Sequence, residues 1–279
     1  KELLYEKYSN KNTNDKPLLK VSMDKYDEDD PVINNVRDLL KKTHLPGCLL
    51  QYGLLAICFM MFKEMNPVYV VQALEFDSQF IGYIFAWSGF WLLTYTYFLQ
   101  PKILKKYKHR KLSLISASLN IVSIAVIPSL IWVRDLPKLT LLIFCFISEF
   151  VNVCAAGTLF VIVFCYINNS IPPEHMGKAN GLGQAIAAFV RGIGPLITGF
   201  LWSDLSYPYI DDYLWVSYIS YAPMLFGFLF MLLHLYFNIN DDMQLTWKER
   251  KERKIKYKNN NHSRNNSIKI SMQPFNENS

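Results

Sequence analysis

The sequence predicts an all-α, polytopic membrane protein with six transmembrane helices. Three observations predict it. Apolar residues make up 51% of the 279-residue chain and gather between Leu45 and Phe237 in six long segments. Each has roughly 20 residues or more, the length a helix needs to cross a bilayer core of about 30 Å. Charged residues cluster in short connections, where a soluble helix would show them every turn or two. Both ends of the chain are polar, and averaging them with the spans leaves a mean hydropathy of only +0.11.

Residues 1–45 are rich in Lys, Asp, Glu and Asn, with an acidic run at Asp24–Asp30. Such a segment buries too little apolar surface to fold alone and reads as a mostly disordered cytoplasmic linker. Within it, INNVRDLL at Ile33–Leu40 could form a short amphipathic turn at the membrane surface. No signal-peptide core is visible, and the first residue is Lys1. The chain therefore reads as a processed or truncated product, the second part of a longer polypeptide.

The spans are placed at 46–73, 79–99, 112–133, 139–169, 179–202 and 214–237, making 46–237 one transmembrane domain. PKILKKYKHRK joins the second and third spans, RDLPK the third and fourth, and SDLSYPYIDDY the fifth and sixth. Lys and Arg total 25 on the two ends and alternate loops of one side, against Arg134 and Lys138 alone on the other. The positive-inside rule then puts both ends in the cytoplasm. Trp132, Trp202, Tyr207, Tyr209 and Trp215 fall near the outer boundary, as an aromatic belt would. The tail, 238–279, holds the basic WKERKERKIKYK and then an Asn/Ser-rich, disordered stretch. The basic run reads as a solvated flank with affinity for anionic headgroups.

The most informative stretch is EHMGKANGLGQAIAAFVRGIGPLITGFLW, Glu174–Trp202, where Arg191 is the one charge between Lys178 and Asp204. An arginine at mid-span costs at least ~2.5 kcal/mol on insertion scales, so it should face protein or trapped water. Gly177, Gly181, Ala185, Ala188 and Gly192 form a small-residue strip for close helix packing. Gly194-Pro195 weakens the backbone ladder one turn later. Three more charges lie inside spans: Lys63, Glu64 and Glu149. Counted at about 1.5 Å per residue from the outer ends, Glu64 and Glu149 lie roughly 16 Å deep and Arg191 roughly 20 Å. The four charges share one slab and sum to zero, which predicts a wet pocket where they pair. Cys145, Ser148, Glu149, Asn152 and Ala156 share one helix face; Gln184, Ala188, Arg191, Pro195 and Thr198 share another. Asn66-Pro67 should disturb the first span beside its charges. Lys63 and Glu64 are about 100° apart on a helix, which favours Glu149 over Glu64 as a protonation site. A static Lys63–Glu149 or Arg191–Glu149 pair is the structural alternative.

No metal site, cofactor or enzyme chemistry is indicated. The five cysteines lie in apolar stretches without CxxC, and the five histidines are scattered. Ser148-Glu149 lacks a base partner for nucleophilic catalysis. The basic tail has no stacking platform or fold for nucleic acid, and no selectivity filter suggests a channel.

These residues carry a resemblance to the second six-helix half of a major facilitator superfamily transporter. FMMFKEMNPVYVVQ from Phe59 resembles the opening helix of that half in the drug:proton antiporter branch and its zinc-induced-facilitator-like proteins. GYIFAWSGFWLLTYTYFLQPKILKKYKHRKLSL resembles the helix pair joined by the short basic signature loop, retaining Pro101, Lys105, Lys106 and Arg110 but not its glycines and acid. NNSIPPEHMGKANGLGQAIAAFVRGIGPLITGFLW resembles the stretch leading into the penultimate helix, with Gly177, Gly181, Gly192, Gly194 and Pro195 as packing and gating positions. The resemblance covers 46–237, with 1–45 matching the central cytoplasmic linker. It implies secondary active transport of a small solute or ion by alternating access, proton-coupled with antiport favoured. The partners implied are protons, the lipid bilayer and a preceding N-terminal six-helix half. Lys63, Glu64, Glu149, Asn152, Gln184 and Arg191 would line the substrate and proton pathway. The first and fourth spans would face the cavity, and the second and fifth the other half. The rival reading is a non-transporting scaffold or receptor, or an inactive half-transporter.

Overall fold

The computed structural model describes residues 35–206 and 214–239, plus Met243, Leu245, Thr246, Lys248, Glu249, Glu252 and Arg253. The expectations for residues 1–34, for Tyr207 and Tyr209 and for most of the tail lie outside these described residues. Every regular element among them is helical: α1 (Val36–Lys42), α2 (Leu45–Gln72), α3 (Gln79–Thr94), α4 (Gln100–Lys106), α5 (His109–Ser129), α6 (Lys138–Asn169), α7 (Met176–Phe200) and α8 (Ser217–Asn238). Five helical stretches, at Leu45–Gln72, His109–Val133, Lys138–Asn169, Pro173–Ser206 and Ser217–Asn238, are long and apolar enough to cross a membrane. The second expected span differs from the others. It is 16 residues of α3, a π-helical turn at Tyr95–Leu99, and then α4. The cause is local: Pro101 has no N–H to give the carbonyl four residues back, and Gln100 N–H instead reaches the Tyr95 carbonyl five residues back.

That run corrects the basic loop. Pro101, Lys105 and Lys106 lie on α4, and Arg110 lies in the first turn of α5. Only Tyr107 and Lys108 separate the helices. The Arg110 guanidinium donates to the Tyr236 carbonyl at 2.7 Å, a cation on the last turn of α8, where helix carbonyls lack partners. The proline effects also differ from expectation. α2 and α7 both run unbroken through Pro67 and Pro195. Each proline removes one donor, from the carbonyls of Lys63 and Arg191 respectively, and the neighbouring turns hold the helix.

At the opposite end, α2 reverses into α3 through Glu75, whose φ of 55° is left-handed. Lys138 holds this turn by donating to the Leu74 and Glu75 carbonyls at 3.2 and 2.5 Å. α2 is the central helix. It packs most extensively on α7, then on α8 and α6, while α5 packs on α6 and α8, and α3 on α6. The α2–α8 approach requires a glycine: a Cβ on Gly227 would overlap Cys58 Sγ. Near the end of α2 that leads into this turn, Tyr69 meets Trp202 and Tyr221 edge-on at 5.8 and 5.6 Å. Trp202 is buried there and donates to Gln72 Oε1 at 2.5 Å, so it belongs to the core instead of an aromatic belt. Trp132 and Trp215 are exposed.

Candidate functional site

The site forms where α2, α3 and α6 meet. Glu149, on α6, is only 1% exposed, deep among apolar side chains. A carboxylate so placed needs a counter-charge and hydrogen bonds. Lys63 of α2 supplies both through an ion pair from its Nζ to Glu149 Oε1. The same ammonium donates to Ser88 Oγ of α3 at 3.0 Å and lies 5.4 Å from the Phe59 ring centroid. Asn66, one turn beyond Lys63, donates Nδ2–H to Glu149 Oε2 at 3.3 Å. Its Oδ1 is buried with no partner.

A polar seam behind this pair fixes α6 against α5. Ser148 donates to the Ser123 carbonyl at 2.6 Å, and Asn152 Nδ2 donates to Asn120 Oδ1 at 3.0 Å. Asn120 in turn donates to the Ser116 carbonyl at 2.9 Å, and Ser123 to the Asn120 carbonyl at 3.0 Å. Glu149 is therefore backed by the α5–α6 seam and bonded by α2 in front. Cys145, Ser148, Glu149, Asn152 and Ala156 are all buried on one face of α6, as the helical spacing predicts.

The four mid-span charges do not converge. The structure brings Lys63 and Glu149 together and leaves Glu64 and Arg191 exposed, with no ion pair among the described residues. The physical reason for Glu64 is its angular offset: once Lys63 points at α6, the next residue points away. For α7, the reason is which face packs. Ala179, Gly183, Ala187, Gly194 and Thr198 are buried. Gln184, Ala188 and Arg191 face outward with Gly177, Gly181 and Gly192, which have nothing within 4 Å of a built Cβ. The small-residue strip is thus bare among the described residues. Gly194 belongs to the opposite, packed face, where a Cβ would sit 3.2 Å from Met61 Cγ.

Ser88, Asn66, Asn120 and Ser123 escaped sequence reasoning as parts of the site. A signal existed for α5: Ser113, Ser116, Asn120 and Ser123 recur at helical spacing and are all buried. Ser88 gave no pattern, being a lone polar residue in an apolar helix.

The family model described as Major Facilitator Superfamily matches residues 8–195. Among curated proteins, the chain is 23% identical over 180 residues to a probable peptide/nitrate transporter of Arabidopsis thaliana. That alignment spans 63% of this chain and 37% of the plant protein, so the chain covers well under half of that relative. No solved structure matches.

Proposed function

The chain belongs to the major facilitator superfamily, and from that premise we propose that it moves a small solute across the membrane by proton-coupled alternating access. Glu149 is the proton site and Lys63 its internal counter-ion. The observation that carries this reading is the buried Lys63–Glu149 pair, which bonds α2 to α6 at mid-span. A proton on Glu149 removes one charge of the pair and with it most of the attraction between the two helices. Separating and remaking that contact gives α2 and α6 two arrangements, as alternating access requires.

Asn66 suits both protonation states. With Glu149 ionised, its Nδ2–H donates to the carboxylate. With Glu149 protonated, a half-turn of the amide presents Oδ1, now without a partner, to the carboxyl O–H. Such a group lowers the cost of neutralising the acid without leaving a buried donor unsatisfied. Whether proton and solute cross together or in exchange depends on the solute's own charge.

The domain arrangement in this reading is a linker at 1–45, the helical domain at 46–237 and a basic tail at 238–279, with both ends cytoplasmic. The bare faces of α3 and α7, with Arg191, Gln184, Gly177, Gly181 and Gly192, meet a preceding six-helix half. Glu64 faces outward on α2 and serves that interface more readily than the proton path. Gly194 and Pro195 set how closely α7 lies on α2.

The test is uptake of a radiolabelled metabolite panel into proteoliposomes under an imposed pH gradient. Glu149→Gln should abolish gradient-driven uptake while leaving downhill exchange, and Glu64→Gln should leave both. Wild-type coupling in Glu149→Gln rejects the proton role and leaves the pair as a static element of a scaffold.

A further inference from the structure

We infer that the solute is recognised by negative charge: an oxyanion, such as an organic carboxylate, takes Glu149's place on the Lys63 ammonium as Glu149 takes up a proton. This rests on the transport reading above and adds to it the charge of the solute and the direction of coupling.

The two halves of the ion pair are not equally accessible. The Lys63 side chain is 16% exposed and the Glu149 side chain 1%. Anything entering the junction of α2, α3 and α6 meets the cation first and the carboxylate only behind it. A second cation within about 4 Å of the ammonium would be repelled by roughly 1–4 kcal/mol across the dielectric range of a protein surface, and an anion attracted by as much. The donors point the same way. An ammonium has three N–H groups; two are used, by Glu149 and Ser88, leaving one without an acceptor among the described residues. Trp91, one turn along α3 from Ser88, carries a buried indole N–H that also has no partner. The junction therefore offers a free donor on the positive charge itself, and the Phe59 ring beside it can cover a solute's apolar body.

No rival carboxylate competes for Lys63. Within α2, α3 and α5 to α8 the acidic residues are Glu64 and Glu149 alone, and Glu64 faces away. The charged and titratable groups around Glu149 are few. Lys63 lies on α2, and Cys145 one turn back on α6 has Tyr69 of α2 and Tyr221 of α8 near it; α3 and the mid-span of α5 bring none with a charge, and Arg191 is exposed on α7 away from the pair. The balance is simple. The resting pair is neutral, and after exchange Lys63 pairs with the anion while Glu149 is a neutral acid bonded to Asn66. One proton is bound for each monoanion, so the two cross together. This is cotransport, where the family resemblance favoured exchange.

The experiment uses the whole protein in nanodiscs and three probes of matched body and fixed charge: benzenesulfonate, benzenesulfonamide and benzyltrimethylammonium. Binding is read as tryptophan fluorescence, with unfolding midpoints recorded for every variant. Benzenesulfonate should bind at least tenfold more tightly than the other two. Its affinity should rise about tenfold per pH unit lowered across the Glu149 titration, the slope for one linked proton. Lys63→Met should lose this selectivity and Lys63→Arg keep it, which separates charge from folding. Glu149→Gln should bind the anion with no pH dependence. Equal binding of all three probes, or preference for the cation, overturns the anion assignment while leaving proton-driven uptake intact. Failure of all three to bind, with Glu149→Gln still coupled to the pH gradient, overturns both readings.

Discussion

Removing Lys63 alone from the Lys63–Glu149 pair should destabilise the protein far more than removing both partners. Breaking a buried pair from one side costs about 3–5 kcal/mol, because the remaining charge stays buried without its counter-ion. The structure says which side is worse. Lys63→Met strands a carboxylate that is 1% exposed, with Asn66 as its one remaining donor. Glu149→Gln strands an ammonium that is 16% exposed and still bonded to Ser88, on a flexible stem that can swing toward water. Lys63→Met should therefore sit at the upper end of that range, and Glu149→Gln should lose roughly 1–3 kcal/mol, the cost of an unsatisfied buried group. At about 2–4 °C per kcal/mol for a domain of this size, the first variant should melt about 10 °C or more below wild type. The double variant should recover most of that loss, giving a coupling energy of about 3 kcal/mol or more, the top of the usual range for residues in contact. A thiol-reactive dye provides the assay, since Cys48, Cys58 and Cys145 are buried and become reactive on unfolding. A Lys63→Met midpoint equal to wild type, or a double variant whose loss equals the sum of the singles, would refute the claim that the two charges hold each other.

Gly227→Ala should lower the melting midpoint by about 1–3 kcal/mol equivalent, the usual cost of overpacking, and Cys58→Ala added to it should restore most of the loss because Sγ is the atom in the way. Asn152→Ala should cost about 1 kcal/mol, within the range for interhelical hydrogen bonds in membranes; a cycle with Asn120→Ala, read by the same dye, should show the two losses to be shared. Outside the membrane, Glu249 accepts the Thr246 N–H and hydroxyl at 2.8 and 2.9 Å, and Thr246 accepts the Glu249 N–H in return, a capping box. The Thr246 N–H, above all, holds the Glu249 carboxyl below its ordinary value. Because the folded value is depressed, the cap is intact above the ordinary glutamate range and is lost as pH falls through the lowered value. Amide exchange at Thr246 and Glu249 should accelerate beyond the intrinsic trend as pH falls below the ordinary glutamate range, and Thr246→Ala should remove that step.

Helix content and class were legible in the sequence because they depend on chain-local quantities: apolar run length against bilayer thickness, and where charges fall between runs. Most helix ends came within a few residues of expectation for the same reason. The exceptions are instructive. α7 starts before the expected 179–202 and is continued past it by a π-helical stretch at Leu201–Ser206, and α4 occupies what looked like a loop. In both cases helical backbone satisfaction continues into polar residues that a hydropathy reading assigns to connections. Position along each helix was legible too, and it put Lys63, Glu64, Glu149 and Arg191 well inside their apolar segments. Position along the axis says nothing about azimuth, and azimuth decides pairing. Which side of α2 faces α6, and which side of α7 faces α2, follows from side-chain packing between helices distant in sequence, such as Gly194 against Met61 and Gly227 against Cys58. Only the tertiary structure could select Lys63 as the partner of Glu149, recruit Ser88 and Asn66 to it, and leave Arg191 outside. The sequence set where along its helix each charge lies, by counting residues at a fixed rise. The fold set which charges touch, because rotation about the helix axis is fixed by neighbours and not by the helix itself.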